Sequence, residues 1–464
     1  MRTPNRLLLA VTLVGSLLAH VPAAAQQDGP VYVVVVGDTL FGIAIRFGTT
    51  VEALAAANGI SDLSAIFPGM RLFLPGFEGI RGVLETRPVA LGESLASLAL
   101  EHQIPTDRLA QLNRIAHPAR LYVGQPLIVP VEEGEGRPSS VVLVQPAGQV
   151  SALAMAVRSG ANPWLVDALN GGGLRLWLTP DAPIYLPGGD GSPSGLPDAI
   201  ASVSLDPEQP GQGNTAVVRA ELRENGTLAG SLGDRQLNFE FEDDEGLARV
   251  ALQGIHAMAE PGLVDLTLSY APPDGGPPFL FVQPVRIREG DYVREFLTVP
   301  TETLDPSNTV PEDERIAAVL APATPTKMWD RPFLFPTSYY DTFPSVFGSR
   351  RNYNDTGWNY YHTGLDLYGS TDTEIQAPAP GVVVFAGPLT VRGNTTYIDH
   401  GWGVYSGFLH QSEIFVEPGD RVDGGDLIGM VGGTGRVTGA HLHWEIWVGG
   451  VPVQPLDWTS QSMP

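Results

Sequence analysis

A motif repeated near the start of the chain is the feature that most constrains its fold. The three copies, 55 and then 56 residues apart, are Gly37-Asp38-Thr39-Leu40, Gly92-Glu93-Ser94-Leu95 and, more faintly, Gly148-Gln149-Val150-Ser151. Each copy is followed by an asparagine and, 17 residues further on, by a proline: Asn58 and Pro75, Asn113 and Pro130, Asn170 and Pro187. A constant period of this kind indicates one small structural unit present three times.

The residues of the first copy predict a βααβ unit. Val31 to Val36 has the pattern of a strand, and Asp38 or Thr39 is placed to cap a short helix. Thr50 begins a second helix, and Pro68-Gly69 turns the chain into a strand, Arg71 to Leu74. This unit resembles the LysM domain, which binds glycans that contain N-acetylglucosamine. The resemblance covers residues 31–75 well, residues 87–130 moderately and residues 145–187 in a degenerate form.

The LysM resemblance implies a sugar-binding groove between the loop after the first strand and the loop after the second helix. In the first unit this groove comprises Gly37, Asp38, Thr39, Leu40, Asn58, Gly59 and Ile60. The alternative is that these residues only cap helices and form turns. Binding is favoured for the first unit. For the third unit, where Gly-Asp-Thr is replaced by Gly-Gln-Val, a purely structural role is an equal alternative.

The N-terminus predicts export. Residues 1–25 combine Arg2 and Arg6 with an apolar run from Leu7 to Leu18 and a small-residue site at Ala23-Ala24-Ala25, which is typical of a cleaved signal peptide. We therefore expect a secreted, extracytoplasmic protein with no stable membrane insertion after cleavage. The formal charge of −24 argues against a nucleic-acid partner. Because the chain has no cysteine, any metal site must use His, Asp or Glu.

The middle of the chain predicts β structure without a catalytic constellation. Alternating apolar and polar residues after a Gly/Pro/Ser linker favour an immunoglobulin-like β-sandwich over residues 198–300, interpreted as a spacer. Asn225-Gly226 is a hairpin signal within it. Residues 301–330 are predicted to be a Pro-rich linker with one short helix from Glu312 to Leu320.

Chemistry is concentrated near the C-terminus. His362 and Asp366 lie close together in sequence, and His441, His443 and Glu445 alternate along an apolar strand, so these three side chains share one face. Two histidines and one aspartate satisfy the three-ligand requirement of catalytic zinc, which keeps a fourth position open for water. The sequence therefore predicts a Zn²⁺ site.

The same region resembles the lysostaphin-type peptidoglycan metallopeptidases. The matching segments, in order, are Phe347-Gly348-Ser349-Arg350, His362 to Asp366, Ala377 to Val383, Ile398 to Gly401, Gly419 to Val422 and Thr434 to His443. The resemblance implies a compact antiparallel β domain, residues 331–460, with a groove over the metal. It implies that His362, Asp366 and His443 bind Zn²⁺.

The resemblance also assigns two further histidines. His441 would act as a general base on water or hold that water in position, and His410 would stabilise charge on the scissile carbonyl oxygen. For Glu445 two alternatives remain open: a partner that orients a ligand imidazole, or an ordinary exposed strand residue.

Together these predictions describe a multidomain protein of small α+β LysM-like repeats, a β-sandwich and a mainly antiparallel β metallopeptidase domain. The expected function is zinc-dependent hydrolysis of peptide cross-links in peptidoglycan, with the LysM units binding the glycan strands. One alternative is a non-catalytic activator of a separate cell-wall amidase, and another is a glycan-binding scaffold. The presence of all five site residues favours the enzyme.

Overall fold

The computed structural model describes residues 29–117, 120–131, 141–144, 151–158, 160–170, 184–187, 196, 199–242, 245–273, 275 and 278–464. The predicted signal peptide, residues 1–25, lies outside the described residues, as do the third Gly-Gln-Val motif and most of the linker from Pro187 to Pro197. The chain divides into two compact units, residues 1–85 with 130–135, and residues 86–129 with 136–464.

The first repeat forms the predicted βααβ arrangement. Its elements are β1 (Val31–Val33), α1 (Leu40–Phe47), α2 (Val51–Ala57) and β2 (Arg71–Phe73). Strands β1 and β2 pair antiparallel. Thr39 caps α1 by accepting a 3.0 Å hydrogen bond from the Gly42 amide, and Thr50 caps α2 in the same way. The apolar faces of both helices are buried, with Ile43 and Leu54 at the centre.

The second and third repeats contain corresponding elements. They are β3 (Val83–Pro88), α3 (Leu95–Glu101), α4 (Thr106–Leu112), β4 (Pro126–Val131), β5 (Val141–Val144), α5 (Ala152–Arg158), α6 (Pro163–Leu169) and β6 (Ile184–Pro187). In the third repeat β5 and β6 pair antiparallel. Its assignment as a degenerate LysM unit stays a prediction, which this arrangement supports.

The middle region is a β-sandwich of two four-stranded sheets. Its strands are β7 (Ile200–Asp206), β8 (Thr215–Leu222), β9 (Thr227–Leu232), β10 (Arg235–Leu237), β11 (Glu240–Phe241), β12 (Ala248–Gly254), β13 (Gly262–Ala271) and β14 (Phe279–Ile287). One sheet has the order β10-β9-β13-β14 and the other β11-β12-β8-β7. Alternating residues of both sheets form a shared apolar core.

The hairpin expected at Asn225-Gly226 is wrong. Strands β8 and β9, which flank this pair, belong to opposite sheets, so the pair connects the two layers. Asn225 accepts a 2.9 Å hydrogen bond from Arg249, and a Cβ at Gly226 would lie 2.5 Å from the Tyr270 ring. The dipeptide is therefore explained by close packing at the edge of the sandwich.

The connector after the sandwich is more ordered than the sequence predicted. It contains β15 (Arg294–Leu297), a 3-10 turn (Thr301–Thr303) and α7 (Pro306–Leu320). The predicted helix began six residues too late, because Asp305 caps α7 and Pro311 lies inside it. Strand β15, placed in the sandwich by the sequence, instead pairs with the next domain through parallel contacts to β16.

The C-terminal domain is mainly antiparallel β structure. Its elements are β16 (Arg350–Tyr353), β17 (Tyr360–Tyr361), β18 (Leu365–Tyr368), β19 (Glu374–Gln376), β20 (Gly381–Leu389), β21 (Gly393–Gly401), β22 (Val404–Gln411), β23 (Glu413–Ile414), β24 (Arg421–Val422), β25 (Leu427–Met430), β26 (His441–Val448), β27 (Val451–Val453) and α8 (Pro455–Ser460). The main sheet has the order β18-β26-β22-β21-β20-β24. These findings confirm the predicted fold class.

The sandwich and the C-terminal domain share an apolar core. Val217, Val250 and Leu252 of the sandwich pack with Trp458 and Val453. Helix α7 covers another part of the C-terminal sheet through Ile316 and Leu320. Among the described residues no single helix is long and apolar enough to cross a membrane, although α1 and α2, bent by 102°, reach that threshold as a pair.

Candidate metal centre and active site

Two neighbouring strands bring the three predicted ligands together. Strands β18 and β26 pair antiparallel with Asp366 directly opposite His443, so both side chains lie on the same face of the sheet. His362 lies just before β18, and Gly364 lets the intervening turn lie against β26. All three ligand side chains are buried.

The three candidate ligand atoms converge on one point. His362 Nε2 and His443 Nδ1 are 2.8 Å apart, and each lies 2.9 Å from Asp366 Oδ1. No other group of three or more His, Asp or Glu residues with this geometry is found in the described part of the chain.

Hydrogen bonds at the opposite ring atoms indicate which nitrogens are free for a metal. His362 Nδ1 donates to the Val346 carbonyl at 3.0 Å, which leaves a lone pair on Nε2. His443 Nε2 donates to Glu445 at 3.1 Å, which leaves a lone pair on Nδ1. Burial lowers the pKa of His362 to about 4, so its imidazole is neutral at neutral pH. Two ring nitrogens and a carboxylate oxygen in mutual contact fit a divalent cation such as Zn²⁺.

Glu445 orients His443, one of the predicted ligands. It is only 1% exposed, and it accepts hydrogen bonds from Thr363 (2.6 Å), Tyr397 (2.9 Å) and Trp447 (2.8 Å) as well as from His443. Burial alone would raise the pKa of Glu445, but the hydrogen bond and charge of His443 prevail and lower it to about 2. The alternative of an ordinary exposed strand residue is therefore wrong.

The second oxygen of Asp366 faces a cation that the sequence analysis missed. Arg351 Nη2 lies 3.6 Å from Asp366 Oδ2, and Arg351 Nε donates to Glu295 at 3.1 Å. Ser345 links these groups, because it donates to Glu295 at 2.8 Å and lies 3.2 Å from His362 Nδ1. Glu295 belongs to the connector strand β15, so only the folded chain, and no sequence motif, brings it to the metal centre.

The two predicted catalytic histidines lie beside the ligand cluster. The rings of His410 and His441 are 5.2 Å apart, and His410 is 6.0 Å from His443. His441 Nδ1 donates to Gly439 and His410 Nδ1 donates to Thr434, so both residues keep Nε2 free. His410 has a positive φ of 66° where β22 bulges, and burial lowers its pKa to about 3. The structure thus brings together all five residues predicted for this site.

A groove of about 750 Å³ passes over these residues. Its walls include the loop from Arg436 to His441 and the hairpin of β16 and β17. Other lining residues come from outside this domain: His256 and Met258 from the sandwich, and Glu295 to Asp313 from the connector. The sequence-based boundary at residue 331 therefore excludes part of the groove.

The predicted glycan-binding residues of the first LysM unit have structural partners. Asp38 accepts hydrogen bonds from Tyr32 (2.6 Å) and the Val35 amide (2.9 Å). Asn58 binds β2 by donating to the Phe73 carbonyl and accepting from the Phe73 amide. Leu40 is 2% exposed, so its side chain belongs to the core and cannot contact a sugar.

The other residues of that set lie around the same loops. Gly37, Thr39 and Gly59 are exposed and Ile60 is half-buried. A sugar-binding role for the loops that contain Gly37, Asp38, Thr39, Asn58 and Ile60 stays a prediction.

Comparison with protein families identifies the two kinds of domain. The model of peptidase family M23 matches residues 360–455, and the LysM domain model matches residues 32–75 and 89–130. The chain is thus a multidomain protein in which LysM domains precede a peptidase domain. That C-terminal domain belongs to peptidase family M23, which confirms the resemblance noted in the sequence.

Curated relatives match about a quarter of this chain. The DD-carboxypeptidase/endopeptidase Mpg of Neisseria meningitidis is 39% identical over 117 residues, which cover 25% of this chain and 27% of the relative. The peptidoglycan DD-endopeptidase ShyC of Vibrio cholerae is 40% identical over 111 residues, 24% of this chain and 26% of the relative. The chain therefore matches about a quarter of the length of these relatives.

A solved structure of an M23 peptidase from Pseudomonas aeruginosa covers 56% of this chain and 97% of its own, with 26% identity and a TM-score of 0.39. A zinc-containing peptidase from Vibrio cholerae covers 94% of this chain and 99% of its own, with 14% identity and a TM-score of 0.27.

Proposed function

We propose that this protein is an exported zinc endopeptidase that hydrolyses peptide cross-links in peptidoglycan. The complete ligand set, His362, Asp366 and His443 with mutual spacings of 2.8 to 2.9 Å, is the observation that carries the proposal. The M23 domain and the DD-endopeptidase relatives support the substrate class.

The residues present define what a bound metal would contribute. Zn²⁺ held by these ligands would polarise the scissile carbonyl and lower the pKa of water from 15.7 to about 7. Glu445 keeps the His443 ring in the tautomer that presents Nδ1 to the metal. Arg351 draws the second oxygen of Asp366 away from the cluster, so that a single oxygen of Asp366 takes part.

His441 and His410 would manage protons and charge during hydrolysis. His441 Nε2 lies 3.6 Å from Asp366 Oδ1, so it is placed to accept a proton from the attacking water. Its partial exposure lets it pass that proton on to the leaving amine. His410, held by the hydrogen bond from its Nδ1 to Thr434, would stabilise the developing oxyanion as an imidazolium, a form that the growing negative charge favours.

Targeting would come from the LysM units. A glycan-bound unit raises the local concentration of the peptidase domain at the wall without any new contact at the active site. Export by residues 1–25 would place the protein outside the cytoplasm, where peptidoglycan lies.

Mass spectrometry of purified peptidoglycan tests this function. Incubation with the full-length protein should release fragments with new peptide ends, and a zinc chelator should abolish the release. Binding to the wall without release of fragments would contradict the proposal and favour the activator of a separate amidase.

A matched pair of histidine variants sharpens the test. His443→Ala should lose bound zinc and activity while it still binds the wall through the LysM units. His117→Ala, which alters an exposed histidine of the second LysM unit, should keep both zinc and activity. Full activity of His443→Ala would refute the assigned metal site.

A further inference from the structure

The charged side chains that line the groove are not all paired. Arg351 pairs with Glu295 and Asp366. Arg392 pairs with Glu312 and Asp313, each at 2.9 Å. Arg436 is the third arginine of the groove lining, and within the described part of the chain no carboxylate lies within 4.0 Å of it. One cation therefore faces the groove without an acidic partner, in a chain whose net charge is −24.

Two contacts fix the orientation of the Arg436 side chain. Its guanidinium lies 4.8 Å from the centre of the Tyr353 ring, and Nη1 donates to the Thr303 carbonyl at 3.1 Å. Its backbone amide donates to Val391 at 2.8 Å, which anchors the loop. These contacts use one side-chain donor and leave the remaining donors of the fork available. A planar, preoriented guanidinium of this kind suits bidentate binding of a carboxylate.

We propose that Arg436 binds a free carboxylate of the substrate next to the scissile amide, and so makes the enzyme selective for anionic cross-links. The proposal rests on the proposed function, because it concerns the substrate of the same groove. Arg436 lines the same groove as His441 and His443, so a ligand held by Arg436 would share that groove with the candidate metal centre. Tyr353 and Thr303 position the guanidinium for this contact.

Selectivity for a carboxylate distinguishes between two kinds of peptidoglycan cross-link. A D-alanyl cross-link to a diamino acid can carry a carboxylate on the carbon that bears the scissile nitrogen. An internal bond of a glycine bridge has no carboxylate at that position. Arg436 therefore favours the first kind of cross-link as the substrate class.

Two synthetic cross-linked peptides that differ at one group test the inference. In one peptide the carboxyl group beside the scissile nitrogen is free, and in the other it is amidated. The full-length zinc-loaded protein should cleave the free form with a kcat/KM roughly 10- to 100-fold higher, as expected for a hydrogen-bonded charge pair. In Arg436→Gln, kcat/KM for the free form should fall until the preference is lost, and kcat/KM for the amidated form should stay unchanged.

A matched arginine variant controls for the loss of charge. Arg421→Gln removes an exposed arginine of β24 that does not line the groove, and it should keep the wild-type preference. If Arg436→Gln lowers kcat/KM equally on both peptides, Arg436 only supports the loop and the inference is refuted. An unchanged preference in Arg436→Gln refutes it as well.

Calorimetry with the same two peptides separates this inference from the proposed function. If the wild-type protein cleaves neither peptide, the proposed activity fails, whereas tighter binding of the free form, lost in Arg436→Gln, still supports the carboxylate site. Equal or undetectable affinity for the two peptides overturns it.

Discussion

At the scale of single residues, the proposed metal centre depends on a glycine, Gly364, that is not itself one of the proposed ligands. A Cβ at Gly364 would lie 2.3 Å from the Trp444 carbonyl oxygen and 2.8 Å from His443 Nε2. Gly364→Ala should therefore displace His443 from Glu445 and weaken zinc binding by about tenfold or more. Competition with a chromophoric chelator measures this affinity directly.

Gly433→Ala is the matched control for that variant. A Cβ at Gly433 would meet its nearest neighbour, Val437, at 3.8 Å, which is ordinary van der Waals contact. Its zinc affinity should equal that of the wild type. If Gly364→Ala also binds zinc normally, β26 can move away without disturbing the ligands, and the close approach has no role in the site.

His400 gives the domain a defined sensitivity to acid. It is fully buried, with Nδ1 2.7 Å from the Pro380 carbonyl and Nε2 2.7 Å from the Ser406 hydroxyl, an arrangement that suits a neutral ring. Burial lowers its pKa from 6.5 to about 4. The neutral ring therefore contributes its full stability above pH 6.5, and this contribution is lost as the pH falls towards 4.

His400→Gln tests that pH dependence. Between pH 7 and pH 4, the free energy of unfolding of the wild type should fall by about 3 kcal/mol more than that of the variant. Urea unfolding at both pH values, followed by tryptophan fluorescence, measures the difference. The same loss in both proteins would show that other groups cause the acid sensitivity.

At the scale of elements, one asparagine closes each of the three repeats. Asn58, Asn113 and Asn170 each bind the backbone of a strand residue 15 positions later, with donor and acceptor distances of 2.6 to 2.9 Å. The constant spacing in the sequence therefore reflects a side chain that joins the second helix to the last strand.

The second LysM unit uses its motif loop for a different contact. The Gly92 amide donates to Gln283 of the sandwich at 2.8 Å, and Gln283 donates back to the Glu93 carbonyl at 3.1 Å. Leu196 lies against Gly92, and Ser94 is 3.0 Å from the hydroxyl of Tyr185. The loop that corresponds to the predicted sugar groove is thus covered within the same compact unit.

Glycan binding should therefore depend on the first LysM unit. Ile60 and Ile115 occupy matching positions, two residues after Asn58 and Asn113. Ile60→Asp should reduce the fraction of protein that sediments with purified peptidoglycan, whereas Ile115→Asp should leave that fraction unchanged. Equal losses in the two variants would mean that the second unit also binds glycan.

Features formed by residues close together in sequence could be predicted, whereas features that depend on distant partners could not. His362, Asp366, His441 and His443 lie in short motifs, so their chemistry and spacing could be recognised directly. Glu445 remained ambiguous, because strand alternation gives its face but not what covers that face. Glu295 and β15 were misplaced, because their partners Arg351 and β16 lie 56 residues further along the chain.

At the scale of the whole molecule, the sandwich supports the peptidase domain. The Trp458 indole donates to Thr215 at 3.1 Å, and the Gln454 amide donates to the Gly213 carbonyl at 2.8 Å. On the groove side, Arg350 donates to the Ala257 carbonyl at 2.7 Å. Residues 198–300 were interpreted as a spacer because they carry no catalytic groups, and that absence gives no information about packing against another domain.

A truncation series follows from this shared core. Residues 291–464 alone, which keep β15 and α7, should unfold at a temperature lower by roughly 10 °C or more than residues 199–464. Burial of Val217, Val250 and Leu252 stabilises the longer fragment by about 1.5 to 3 kcal/mol per side chain, and each kcal/mol shifts the midpoint by about 2 to 4 °C. Circular dichroism on the two zinc-loaded fragments measures the midpoints. Equal midpoints would establish that the peptidase domain is stable alone and that the sandwich serves only the groove.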